Sequence, residues 1–595
     1  MRCISLRAPR AVAAPPAASP ANPQTGVAFL LWVTCTSIYL AFRSNDHYFD
    51  SLSYAGIVES GRNLFLQKHI LQHATVWLLR AAVRALGADV SALAVAQTLN
   101  AILAGASVVL VFLSLRRMLS GMFLAAAFAV VFGFVSVVSR HAIEGDVHVA
   151  PLCFWCLALW LALGGRHVAR AGGVGLACAL SVLMHETYVL LAPALLGVLV
   201  VRRYSRLAQI AFGLTAAVPV LGVYVAVFAS THYPWTHFLD WARMEAGRTP
   251  FGFSWGDAAI SWAHALSPSD ELSTLWRAEK LVPLSLLLLL AGVGLRRAWL
   301  TDRAVPIFAG LALGVYIPPL VWHVAHFQYF APTALPVVLL AAFGTSSLGP
   351  ARVRDGLAAA LAVGYATLAC VFTLAPAHDR SANDTLARIA FIQRIAGPDD
   401  LVVVIGTGRS EQDPAYLRYF AHLHARSLWD AFGEGDDRSP AAVYARLART
   451  IDGTLASRAR VLVFGEAIEG TRDYADLGGA RMTARSETTR EFLTERYRLE
   501  ARARYAGPGY TETLYEVLPL RAPDECGPAP HFKLRNGRCL PSCGVLANRS
   551  PQPLAKVGCC ARGCVSGIAL AAGRDETWDC DACCGRVEPD QAVCR

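Results

Sequence analysis

Long apolar runs alternate with short polar gaps along the chain up to about residue 375, and then the pattern stops. About 20 apolar residues cross the roughly 30 Å of bilayer hydrocarbon as a helix. On that measure the runs predict about eleven transmembrane helices, near 27–42, 92–115, 119–138, 148–165, 171–185, 187–201, 207–229, 281–295, 304–323, 332–348 and 356–375. The fifth and sixth are short, and the turn between them at His185-Glu186 is placed to dip into the membrane.

Two gaps are long. In the first, about 43–91, the stretch from His69 to Arg80 has helical apolar spacing with its charges on one face, the pattern of a helix lying in the membrane interface. The second, about 230–280, holds Trp235, His237, Asp240, Trp241, Arg243, Glu245 and Arg248, and its aromatics suit an interfacial belt. Beyond residue 375, Leu401–Ile405 and Val461–Phe464 read as buried strands, with a helix-like stretch from Ala415 to His424 between them. This predicts a small α/β domain over 376–520. Gly406-Thr407-Gly408-Arg409-Ser410 lacks the third glycine of the dinucleotide fingerprint and reads as a tight strand-to-helix turn.

Composition agrees with the pattern. With 595 residues, 55% hydrophobic, 16% charged and a mean hydropathy of +0.41, the chain is too apolar for an ordinary soluble enzyme. Arginines supply the orientation. They collect in the tail (Arg2, Arg7, Arg10) and in alternate gaps (Arg116-Arg117, Arg166 with Arg170, Arg202-Arg203 with Arg206, Arg296-Arg297 with Arg303, Arg352 with Arg354). Short basic loops stay cytoplasmic. The expectation is a multi-pass protein of a bacterial inner membrane, its amino terminus cytoplasmic and everything after residue 375 outside. The net charge of +10 is then a topology signal and makes no case for nucleic acid. Residues 1–26 read as a disordered cytoplasmic tail, and the first run, lacking a cleavage site, reads as an anchor.

The last stretch, 521–595, carries Cys526, Cys539, Cys543, Cys559, Cys560, Cys564, Cys580, Cys583, Cys584 and Cys594, ten of the 16 cysteines. Outside the cytoplasm, an even number in a short segment predicts a disulfide-rich module. In the cytosol, Cys580-x-x-Cys583 with Cys539-x-x-x-Cys543 would instead suit zinc. The other six lie in the tail and the runs, as small apolar residues.

Candidate chemistry gathers on the outer side, at Asp50, at Glu144, Asp146 and His148, at His185-Glu186, and at His326-Phe327-Gln328-Tyr329. Ionisable groups at the edge of an apolar bundle are costly and default to a functional reading. Glu144 and Asp146 also have the hard oxygen donors of a divalent-ion site. Bland readings stand beside these. Asp46 or Asp50 could cap the helix that starts near Ser51, His185-Glu186 could be a structural pair, and Tyr329 could be a belt aromatic.

Asp50-Ser51-Leu52-Ser53-Tyr54-Ala55 resembles the Asp-Glu-x-x-Tyr-Ala motif of GT-C membrane glycosyltransferases, above all the bacterial relatives of protein mannosyltransferases and of the aminoarabinose transferase. Ser51 replaces the second acid. His69 to Leu79 is similar to their interfacial His/Pro-x-x-Tyr-x-Leu-Leu helix. Gln328-Tyr329-Phe330-Ala331-Pro332 resembles their Arg-Tyr-x-x-Pro segment without its arginine. The resemblance spans roughly 27–375. It implies an inverting enzyme that takes a sugar from a polyprenyl-phosphate carrier and gives it to a protein, lipid or glycan acceptor. Phosphate leaves readily, so a single general base suffices, in contrast to the two carboxyls of glycosidases.

Asp50 is then the candidate base. Tyr54, Glu144, Asp146, His148, His185, Glu186 and Tyr329 are candidate substrate contacts. Arg43, Arg62 and Lys68 could hold the carrier phosphate, and Glu144 and Asp146 are placed to hold a possible divalent metal ion, which some relatives use. The expected architecture is a GT-C-like bundle over 27–375, an extracytoplasmic α/β domain over 376–520 and the cysteine-rich module over 521–595. Two rivals stay open. One is a transporter or flippase using Asp50 and Glu144 as ion sites; the other is an inactive scaffold of the same fold.

Overall fold

The computed structural model describes residues 23–520, apart from 232, 244–254, 270–274, 276, 324–326, 405–411, 435–436, 438, 470–485 and 509, together with 532–533 and 539–540. It divides into two compact units, residues 1–380 and 381–595.

The first unit is helical. Its helices are α1 (Pro23–Ala41), α2 (Phe49–Ser60), α3 (Gln72–Ala85), α4 (Ala92–Met118), α5 (Met122–Phe134), α6 (Ser136–Ala142), α7 (Val149–Ala162), α8 (Val168–Met184), α9 (Ala192–Val201), α10 (Arg206–Ala229), α11 (Phe238–Arg243), α12 (Trp255–Leu266), α13 (Ala278–Thr301), α14 (Ala304–His323), α15 (Ala331–Ser346), α16 (Ala351–Ala369) and α17 (Ala375–His378). Their ends follow local chemistry. α4 opens on Ser91, whose side chain accepts the Ala94 N–H, and closes beside Arg116 and Arg117, cations at the negative end of the helix. α2 stops at Gly61, which takes the left-handed conformation (φ 65°) that a side chain would resist.

Each of the eleven apolar runs contains helix, but they are not equal. Six described helical stretches are long and apolar enough to span a bilayer. α5 and α6 make a seventh only as a pair bent by 68°. Val149–Ala162, Val168–Met184, Glu186–Val201 and Ala304–Ile317 are shorter. Among the described residues six or seven stretches thus have full spanning length, and four of the eleven expected spans correspond to these shorter helices; the chain is a multi-pass membrane protein. No proline causes the bend. Val135 is extended (φ −64°, ψ 144°), which ends α5, and the freed N–H of Ser136 donates to the carbonyl of Ser267 at 2.6 Å.

α13 and α15 touch backbone to backbone. A Cβ on Gly294 would lie 1.7 Å from the Leu340 carbonyl oxygen, and one on Gly344 would lie 1.9 Å from that of Leu290. α3 is two-faced as its pattern predicts: His73 and Val76 are buried, while Trp77, Leu78 and Leu79 are exposed.

The second unit carries a five-stranded sheet in the order β2-β1-β3-β5-β4. Strands β1 (Leu401–Val404), β2 (His424–Ser427) and β3 (Val461–Phe464) are parallel, and β4 (Tyr497–Gly507) and β5 (Tyr510–Pro519) form an antiparallel hairpin beside β3. β1 and β3 are buried throughout, as their apolar runs require. α18 (Pro440–Ala456) covers them with Val443, Leu447 and Ile451. Gly406–Ser410 and the ten clustered cysteines lie outside the described residues, apart from the backbone of Cys539 in a two-residue strand.

Candidate active site

Five segments of the first unit converge on one polar pocket. Tyr48 is the N-cap residue of α2 and Asp50 lies in the first turn of that helix, where a carboxylate is favoured by the helix dipole. The cap is therefore neither Asp46 nor Asp50. Tyr54 follows Asp50 at i+4, on the same helix face. A 3₁₀ turn, Gln67–His69, delivers His69 to the pocket. The loop between α6 and α7 contributes Asp146, Val147 and His148, and His185 ends α8. A second 3₁₀ turn, Phe327–Phe330, supplies Gln328 and Tyr329 ahead of α15. These ten residues line a small cavity of about 20 Å³, room for about one water molecule.

Of the residues expected from the sequence, Asp50, Tyr54, Asp146, His148, His185 and Tyr329 meet here. Glu144 and Glu186 do not line the pocket. Glu144 is fully buried behind it, accepting from Gly145 N–H at 3.1 Å and lying 2.9 Å from His47 Nδ1 and 3.7 Å from Arg140 Nη1. Glu186 is half-buried in the 3₁₀ turn Glu186–Leu191. His326 lies outside the described residues.

Aromatic and imidazole rings dominate the walls. His185 lies 4.6 Å from His69 and 5.1 Å from His148 between ring centroids, and 5.7 Å from Tyr329. Tyr54 Oη and His69 Nε2 are 3.3 Å apart. Nδ1 of His69 and Nε2 of His141 and of His185 are buried without a hydrogen-bond partner in the chain, which suits a polar ligand.

Burial keeps the histidines neutral. It is the main reason that His69 and His185 are held well below the ordinary histidine range, and their imidazole neighbours and Lys68 add to it. Burial also brings His73 and His148 down to about 4. For Asp146 burial works the other way, but His141 and His148 more than offset it, so the carboxyl lies below its usual value and is ionised. Glu144 is likewise ionised, with His47 and Arg140 outweighing its burial.

The fit to a metal ion is poor. Asp146 has both oxygens engaged, Oδ2 by His141 Nδ1 and Oδ1 by the His148 N–H at 3.2 Å. Glu144 faces the Arg140 cation, which would repel a divalent ion. Among the described residues, no group of three or more His, Cys, Asp or Glu is arranged to hold a metal ion.

His69 opens the stretch matched to the interfacial-helix motif, and His73 follows it at i+4, but two other participants escape a motif reading. These are Tyr48 and Asn100. Asn100, on α4, donates to the carbonyls of Glu144 and Asp146 at 2.8 and 2.9 Å, so it shapes the loop from outside.

No family model matches the chain, and no curated protein does. Solved structures do. ArnT from Cupriavidus metallidurans in the apo state superposes with a TM-score of 0.56 at 12% identity, covering 83% of this chain and 98% of that one. The same protein bound to undecaprenyl phosphate gives 0.54 at 12% identity, covering 83% and 97%. The oligosaccharyltransferase of Archaeoglobus fulgidus, solved with zinc and sulfate, reaches only 0.43 at 12% identity over 82% of this chain and 73% of its own. The chain therefore has the fold of ArnT.

Proposed function

We propose that the chain is a membrane glycosyltransferase that moves one sugar from a polyprenyl-phosphate carrier to an acceptor on the outer side of a bacterial inner membrane. The observation that carries this reading is the pocket itself. Two carboxylates, Asp50 and Asp146, stand among aromatic faces at the ends of apolar helices, in the fold of a protein solved with undecaprenyl phosphate.

In this reading Asp50 takes the proton from the acceptor's hydroxyl or amine as its lone pair attacks the anomeric carbon. The bond from that carbon to the phosphate oxygen breaks, and its electron pair leaves with the carrier phosphate. One displacement inverts the anomeric centre. Lys68, whose charge is felt by His69 and His185, is the cation best placed to meet the phosphate, since Arg43 and Arg62 are exposed. Tyr54 and Tyr329 offer faces and hydroxyls to the sugar, and Asp146 orients it.

The test is Asp50→Asn in the full chain, with the donor taken as the lipid-linked sugar that accumulates on deleting the gene. Transfer should fall by about 10²-fold or more, the scale of lost general-base assistance, with undecaprenyl-phosphate binding retained. Transfer at the wild-type rate would refute the reading.

A further inference from the structure

Arg140 is only 2% exposed, and four of its hydrogen bonds go to one short segment. Nε donates to the Tyr48 hydroxyl at 3.1 Å and Nη1 to Ser44 Oγ at 2.9 Å. Nη2 donates to the Asp46 carbonyl at 2.6 Å and its carboxylate at 3.3 Å. The guanidinium also lies over the Tyr48 ring, 4.6 Å from its centre. It also pairs with Glu144, which in turn holds His47 of the same segment.

This segment feeds directly into α2. Tyr48 begins the helix but gives it no side-chain cap, so the start of α2 is held from the side by Arg140. Asp50 is two residues further on. Glu144 stands two residues before Asp146, which lines the pocket. One buried cation thus ties together the two backbone segments that carry the pocket's carboxylates. A planar fork with five donors can do this, whereas a lysine's point charge cannot reach the same partners at once. Reactive groups tolerate misplacement of only about 0.5 Å.

We propose that Arg140 is the positioning residue of this site, setting the spacing of Asp50 and Asp146 through the 44–48 segment and Glu144. The proposal rests on the reading of Asp50 as the base. It makes no contact with substrate and needs none.

The full chain in lipid nanodiscs tests it, with lipid extract of the deletion strain as donor and undecaprenyl phosphate as binding probe. Arg140→Lys should lower kcat by about 10²-fold, the effect of roughly 1 Å of misplacement. KM and probe affinity should stay within about twofold, because only transition-state geometry is lost. Tyr48→Phe removes one hydroxyl and should give a smaller loss, about tenfold, in a chain that melts normally. Groups that act as a unit are non-additive, so Arg140→Lys should cost nothing further in an Asp50→Asn background. The clamp is overturned if Arg140→Lys and Tyr48→Phe keep the wild-type kcat while Asp50→Asn is inactive. It is equally overturned if Arg140→Lys loses probe affinity and melting temperature in parallel with turnover, which is mere structural damage. Wild-type transfer by Asp50→Asn would instead sink the base assignment beneath it.

Discussion

Gly344→Ala should loosen the transmembrane unit and disturb the pocket by one and the same displacement. A new Cβ at this position meets the Leu290 carbonyl oxygen at 1.9 Å, whereas real contacts stay above about 3.0 Å, so α13 and α15 must separate by about 1.1 Å. Both atoms are backbone or fixed to it, so no side-chain rotation relieves the clash. Overpacking of this kind costs about 1–3 kcal/mol. α15 runs on from the 3₁₀ turn that carries Gln328 and Tyr329, and so a shift of that size also reaches the pocket wall. Transfer should then drop by up to about 10²-fold. Gly292→Ala is the matched control, because it lies on α13 with open space around its Cβ. There the better helix propensity of alanine makes the change neutral or stabilising by up to about 1 kcal/mol. Thermal melts of the detergent-solubilised variants, read alongside transfer, decide the matter. If Gly344→Ala melts at or above the wild-type temperature while Gly292→Ala melts lower, the backbone contact is not what holds these helices.

Further outcomes follow from the buried polar groups. His73 and His148 titrate near 4 when folded and near 6.5 when unfolded, so the unfolded chain binds more protons between those values. Stability is full above pH 6.5 and should fall by about 1.4 kcal/mol per pH unit for each histidine down to pH 4; melting that does not change between pH 7 and 5 would contradict it. Asn100→Ala strands the carbonyls of Glu144 and Asp146 and should destabilise by about 1–3 kcal/mol while also impairing transfer; an assay showing neither effect would remove Asn100 from the design. If 521–595 is extracytoplasmic, alkylation of the unreduced, denatured chain should mark Cys35, Cys153, Cys156, Cys178 and Cys370 and spare Cys526 to Cys594. Free thiols there with copurifying zinc would favour the metal reading.

What was legible in the sequence was whatever local pattern decides. Apolar runs located the helices, and acids or histidines at their ends marked Asp50, Asp146, His148 and His185. β1 and β3 stood out because a strand buried on both faces is apolar throughout. The hairpin β4–β5 has a weaker, partly alternating pattern, which a search for continuous runs passes over. Long-range pairing was the real limit. Glu144 looked like a pocket acid, yet its partners are set by Arg140 and His47, the latter 97 residues away, and they turn it inward. The break at Val135 is similarly invisible, because it depends on Ser267 accepting the Ser136 N–H.

Among the described residues the sheet of the second unit ends on β4, which leaves one row of backbone donors and acceptors without a strand partner there. That edge carries Arg498, Glu500, Arg502 and Arg504 in exposed positions, and its register with β5 slips between Ala501 and Ala503. An incoming strand would have to match a kinked ladder and bury a dense set of charges against its own. The edge is thereby closed to adventitious polymerisation, a safeguard that matters for a unit tethered to a membrane, where neighbouring copies are confined to two dimensions and meet often.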